Sequence, residues 1–208
     1  MPRRRKSGGR KLGDMGKRLS RRRLYVRPLR QNFLIVCEGE RTEPNYFKSF
    51  RVPKDVRVQV IGEGYNTCRL VERAIDLKQE GKYDQVWVVF DRDEFPAQHF
   101  NEAIALAGRN DIGVAYSNEA FEIWYLLHFY YHDVATSRQL YKQMLTKRLG
   151  FEYQKNASDM YEHLLMKQAD AIRNAERLLQ TYTPHRPADD NPCTTVHRLV
   201  EALNEFAV

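Results

Sequence analysis

The sequence predicts an α/β protein: a doubly wound parallel sheet flanked by helices, with a helical carboxyl-terminal extension and a basic amino-terminal arm. Three observations predict it. Two runs without a polar residue, Phe33-Leu34-Ile35-Val36-Cys37 and Val86-Trp87-Val88-Val89-Phe90, have the length and composition of strands buried on both faces. Stretches with helical spacing alternate with such runs, the mark of β-α-β units. Both runs stop on an acid, Glu38 and Asp91, at the carboxyl ends where open α/β sheets bind ligands.

Charge divides the 208 residues in two. Residues 1–30 carry 13 Lys or Arg against one acid, Asp14; of the chain's 34 basic and 27 acidic residues the remainder holds 21 and 26, so a globule of net −5 carries an arm of net +12. The arm has few large apolar residues and several glycines, and is expected to be disordered alone. It could grip phosphates by counterion release or fold against the acidic surface; nucleic-acid contact is the favoured use, since like-charge blocks often serve as nucleic-acid arms. Residues 31–208 are expected to form the globule, mainly helical from 136 onward. A hydrophobic content of 42% suffices for a packed core.

The elements follow in order. After the strand at 33–37, Gly39 allows a sharp turn; Thr42 is the expected N-cap, Glu43 the first helical residue, and Pro44 fits the first turn. Residues 56–61 alternate like a strand with one face less buried. Gly62-Glu63-Gly64 reads as a turn, with a phosphate-cradling loop as the rival. Asn66 or Thr67 caps a helix to Glu80 with Leu70, Ala74 and Leu77 on one face. After the strand ending at Phe90, Pro96 opens a helix to Gly108, and 111–116 is the next strand. Asn118 caps a helix over 119–130. Helical spacing recurs over 136–148 and 158–181, a proline-rich loop covers 183–192, and a last helix is expected over 193–206. Right-handed crossovers would leave both acid-bearing strand ends on one edge.

Those acids carry the chemistry. Asp91 and Asp93 are two apart, so in extended chain they point to one side. A hard divalent cation such as Mg²⁺ removes their repulsion; a plain acidic turn is the alternative. Glu38 ends one strand and Glu43 begins the helix after it, which suggests one shared acidic pocket. Glu119 and Glu122 share a face at a helix start, where the macrodipole alone accounts for acids; Glu122 otherwise enters the pocket as a ligand or orienting base. His128 is either a hydrogen-bonded core histidine or a proton carrier. Arg138, Lys142, Lys147, Arg148, Lys155, Lys167, Arg173 and Arg177 stud the later helices, as a solvated face or as a track for a nucleic-acid backbone. Tyr130, Tyr131 and Tyr141 either pack or stack bases. Thr194 either caps the last helix or leaves N–H groups there for a phosphate, with His197 one turn inside.

A strand ending in Glu38-Gly39 followed by one ending in Asp91-Arg92-Asp93 resembles the Toprim domain of primases, topoisomerases and OLD-type nucleases. With CEGERTEPNYF, SNEAFEIWYLLHF from Ser117 and NPCTTVH from Asn191, the chain over about 30–205 is similar to the RloB-like family, Toprim-like proteins associated with bacterial defence. Glu119 stands where that family more often has proline. The resemblance implies a metal-dependent nuclease acting on DNA or RNA in anti-phage defence, alongside an ATPase or sensor protein. The combined reading gives Mg²⁺ or Mn²⁺ held by Glu38, Asp91, Asp93 and Glu122, with Glu43 completing the acidic set and His128 the candidate proton carrier. No tyrosine stands out as a topoisomerase nucleophile. Two rivals remain: a non-catalytic nucleic-acid-binding component, and an Asp-x-Asp phosphatase with Asp91 as nucleophile and Asp93 as acid. The sequence leaves a homo-oligomer open. No apolar run is long enough to span a bilayer or serve as a signal peptide, and Cys37, Cys68 and Cys193 lack zinc spacing, so a cytoplasmic protein with reduced thiols is expected.

Overall fold

Each apolar run forms a strand, and the chain returns between strands as a helix. The computed structural model describes residues 31–54, 56–64, 67–92 and 96–207. In order these form β1 (Gln31–Cys37), α1 (Thr42–Lys48), β2 (Val56–Gly62), α2 (Thr67–Glu80), β3 (Gln85–Asp91), α3 (Ala97–Arg109) and β4 (Gly113–Asn118). Then come α4 (Glu122–Leu127), α5 (Arg138–Leu149), α6 (Met160–Leu164), a 3-10 turn (Leu165–Lys167), α7 (Gln168–Gln180), β5 (Cys193–Thr194) and α8 (Val196–Asn204). The sheet order is β2-β1-β3-β4-β5. Its first four strands are parallel, and β5 runs antiparallel to β4. The α/β expectation holds, and the sheet is consistent with a Toprim-like one. The basic arm lies outside the described residues.

Side chains alternate across each strand, so the sheet separates two cores. Phe33, Ile35 and Cys37 of β1 face the side packed with Tyr46, Phe47, Trp124 and Leu199. Leu34 and Val36 face the side packed with Leu70, Ala74, Phe100 and Ala103 of α2 and α3. α4 is only six residues long, too short to persist alone. Burial holds it: Ile123, Trp124, Leu126 and Leu127 are fully enclosed, each worth about 1.5–3 kcal/mol by area.

Tertiary pairing corrects four local expectations. Thr42 is the first residue of α1 rather than its cap, because its hydroxyl donates to the Lys155 carbonyl at 2.6 Å. Asn118 ends β4 instead of capping a long helix; its side-chain amide donates to the carbonyls of Asp190 at 2.9 Å and Ala188 at 3.4 Å. Residues 193–195 do not start a helix. The Tyr116 N–H donates to Thr195 Oγ1, and the Thr194 hydroxyl donates to the Tyr116 carbonyl, both at 3.0 Å, which fastens this stretch to β4. The helix expected over 158–181 is broken by the 3-10 turn Leu165–Lys167.

The crowded end of β2 gives a first prediction. A Cβ on Gly62 would stand 2.7 Å from the Gly39 carbonyl oxygen and 2.8 Å from Glu40 Cα. Both are backbone atoms, so Gly62→Ala must push the turn after β1 away. A loss of about 1–3 kcal/mol is expected, read as a lower urea midpoint with an unchanged m-value. Among the described residues, no helix is long and apolar enough to cross a membrane.

Candidate functional site

Parallel pairing puts the two acid-bearing strand ends side by side. Cys37 lies opposite Val89, and the Glu38 N–H extends the ladder to the Val89 carbonyl at 2.8 Å. The Glu38 side chain then reaches the next strand, where its Oε2 accepts the Asp91 N–H at 3.1 Å. Its Oε1 accepts the Thr67 hydroxyl at 3.3 Å, from the start of α2. Asp91 pairs in register with Ser117, and its side chain is buried. Glu43, in the first turn of α1, is buried against Gly39. A Cβ there would stand 2.2 Å from Glu43 Oε2, so only glycine lets the carboxylate lie on the turn. Glu122 opens α4, is buried, and accepts the Tyr153 hydroxyl at 3.0 Å.

These acids act on one another. Burial is the largest influence raising the Asp91 carboxyl, and the charges of Glu43, Glu122 and Glu38 add to it. The Arg138 guanidinium opposes the shift from 3.9 Å, too far for a hydrogen bond, and is outweighed. Among the described residues, the buried Asp91 Oδ1 has no hydrogen-bond partner. Burial also raises Glu43 and Glu122 adds to the shift, while Glu43's own backbone hydrogen bond, Lys155 and Arg138 act against it. Beside Glu43 opens a cleft of about 300 Å³, lined by residues 39–43 with Lys155 and Asn156.

The structure thus gathers Glu38, Glu43, Asp91 and Glu122 into one electrostatic neighbourhood. Asp93 lies outside the described residues. Among the described residues, no three His, Cys, Asp or Glu side chains stand close enough to form a ready ligand set. By chemistry the donors fit a hard cation: they are all carboxylate oxygens, and among the described residues one buried oxygen of Asp91 has no donor.

His128 is not brought to this site. Six residues beyond Glu122, it lies about 9 Å further along the helix and well around from that face. Its Nδ1 donates to the Trp124 carbonyl at 2.9 Å, and the charges acting on it are those of Asp170 and Lys167. Glu119 acts on Tyr141 through its charge, and its carbonyl accepts Arg138 at 3.2 Å. Thr194 accepts the Val196 N–H at 3.2 Å in a local turn just before α8, but Thr195 holds the N-cap position and makes no side-chain cap bond.

Sequence reasoning missed three neighbours of the acids. Arg138 and Lys155 read as parts of a basic track, yet their charges act on Asp91 and Glu43. Tyr153 carries no sequence signal, since its partner Glu122 is 31 residues away.

A mostly parallel sheet with carboxylates gathered at its ligand-binding end defines the class: an α/β protein with an acidic strand-end site. Residues 33–203 match the family model described as RloB-like protein, and the chain belongs to that family. No curated protein and no solved structure matches it.

Proposed function

We propose that the protein is a Mg²⁺- or Mn²⁺-dependent nuclease of the Toprim type, hydrolysing phosphodiester bonds of DNA or RNA in the cytoplasm. One observation carries the reading. Carboxylates from separate chain segments meet where burial and the neighbouring acids disfavour the charge of Asp91 and Glu43, and among the described residues an Asp91 oxygen is left without a donor. A divalent cation relieves both.

Glu38, Asp91, Asp93 and Glu122 are the residues that would hold it. When bound, the ion supplies Lewis-acid stabilisation of the phosphate and lowers the pKa of a bound water. The chain's own groups do the rest. The Asp91 N–H and the Thr67 hydroxyl fix the Glu38 carboxylate. Glu43, raised by burial, is suited to accept a proton from the attacking water, since a base works best when its pKa approaches the working pH. Arg138 and Lys155 offer positive charge to a phosphate that the acids would repel. His128 has no part in the reaction. On the family resemblance, the nuclease would act in anti-phage defence beside an ATPase or sensor protein.

Arg138 beside Asp91 also favours a second reading, a non-catalytic nucleic-acid-binding component in which the arginine stands in for an ion. Purified protein incubated with plasmid DNA and structured RNA, in Mg²⁺, Mn²⁺ or EDTA, separates the two. Cutting only with metal supports the nuclease. Gel shifts without cutting in any metal support the binding component. Phosphate release from small esters alone would point to the Asp-x-Asp phosphatase.

A further inference from the structure

Directly after α4, three consecutive aromatic rings each carry a cation. Lys167 Nζ lies 4.5 Å from the Phe129 ring centre, the Arg148 guanidinium 4.4 Å from that of Tyr130, and the Arg177 guanidinium 4.0 Å from that of Tyr131. The cations come from the end of α5, the turn before α7, and α7 itself. All three are exposed, and the rings are half-buried. None of the three pairs with a carboxylate among the described residues. Neighbouring acids are taken by other bases: Glu152 by Lys142 and Asp170 by Arg173.

The choice of partner matters. A carboxylate would cancel the charge and occupy the N–H donors. An aromatic face holds an exposed cation with about 0.5–1 kcal/mol and leaves charge and donors available. Shielding of the rings alone would not need three unneutralised cations. Lys167 and Arg177 are ten residues apart, roughly 15 Å along the helix axis. At about 3.4 Å per phosphate on one duplex strand, that spans four or five phosphates. The surface also adjoins the element that carries one of the acids: Phe129 lies two residues past the end of α4, the helix that Glu122 opens. An acidic site repels a polyanion, so its substrate needs positive charge within reach.

We propose that Arg148, Lys167 and Arg177, ordered on Tyr130, Phe129 and Tyr131, form the surface that grips the phosphate backbone of a nucleic-acid substrate beside the acidic site. Guanidinium forks suit phosphate oxygens, and the ordered side chains lose less freedom on binding. The assignment rests on the nuclease reading for its choice of nucleic acid.

The test measures binding by full-length protein in EDTA, where nothing is cut. Fluorescence anisotropy with 30-mer duplex DNA, single-stranded DNA and single-stranded RNA is followed from 50 to 300 mM salt. The variant R148Q/K167Q/R177Q is compared with R51Q/R57Q/R109Q, which removes equal charge from exposed arginines elsewhere. At 150 mM salt the first triple is expected to bind the preferred nucleic acid at least 10-fold more weakly. Its slope of log K against log salt should shrink by about 2–3, as for three lost phosphate contacts; the control should change by less than half of that. Equal slopes in the two triples overturn the proposal, as does a wild type that binds none of the three nucleic acids. Loss of polyglutamate binding with nucleic-acid binding unchanged would reassign the surface to an acidic protein. The nuclease reading fails separately: a wild type that binds with the expected slope yet cuts nothing in any metal sinks catalysis and leaves this surface standing.

Discussion

Asp91→Asn is expected to reduce metal-dependent cleavage by about 10³-fold, the scale of losing one group aimed at transition-state charge, while making the metal-free protein more stable. The two effects share a cause. Asp91 is buried among Glu43, Glu122 and Glu38, and among the described residues its Oδ1 has no donor. A neutral amide removes the repulsion by Glu43, Glu122 and Glu38, so without metal a gain of about 1–3 kcal/mol, the scale of one buried polar mismatch, should raise Tm by about 2–12 °C for a chain of this length. Adding Mg²⁺ should raise the wild-type Tm, by linkage, and leave the variant's nearly unchanged. The pH dependence follows from the direction of the shift. The folded-state value of Asp91 lies above its ordinary 3.8, so between the two the folded state holds more protons. Its contribution is therefore complete below about pH 4 and is lost as pH rises through the raised value. In EDTA, Asp91→Asn should flatten that fall without abolishing it, because Glu43 is raised as well. A variant that still cuts, or that melts lower than wild type in EDTA, refutes the assignment.

The strand runs and their terminal acids were legible because both signals are local. An apolar run ending on a carboxylate reads the same in any context, and parallel pairing then leaves Glu38 and Asp91 little choice but to be neighbours. The start of α3 was legible for the same reason, from Pro96. What stayed hidden depends on distant partners. Asn118 looks like a cap until the carbonyls of Ala188 and Asp190 claim its amide. Thr194 and Thr195 look like a helix start until β4 takes their hydroxyls. Arg138 is 47 positions from Asp91, and a basic residue in a helix's first turn reads alike whether it faces water or a carboxylate. The cations on Phe129, Tyr130 and Tyr131 were visible as basic and aromatic residues, but their pairing came only from packing.

Acid should destabilise the fold through two histidines that the site does not use. His128 is 1% exposed, its Nδ1–H is bound to the Trp124 carbonyl, and among the described residues its Nε2 has no partner. Burial pushes it down to about 4, against the pull of its backbone hydrogen bonds to Trp124 and Tyr125. His197 is also pushed down to about 4, by burial first and then by the charge of Arg198. Both values lie below the ordinary 6.5, so on acidification the unfolded chain takes up these protons first. The stabilising contribution is whole above about pH 6.5 and is lost as pH falls toward 4. Between pH 7.5 and 5.0 each histidine should remove about 2 kcal/mol of unfolding free energy, opposing the gain from Asp91 and Glu43. His128→Gln keeps an amide able to donate to the Trp124 carbonyl and has no titrating ring. Urea unfolding at the two pH values should show its acid loss smaller than the wild type's by about 2 kcal/mol. Cleavage at pH 8 should stay within about 3-fold of wild type, since general acid–base residues are worth about 10²-fold or more. A 10²-fold loss of cleavage with an unchanged pH dependence of stability would return His128 to the role of proton carrier, and would require its enclosed ring to reach the acids by a movement of α4.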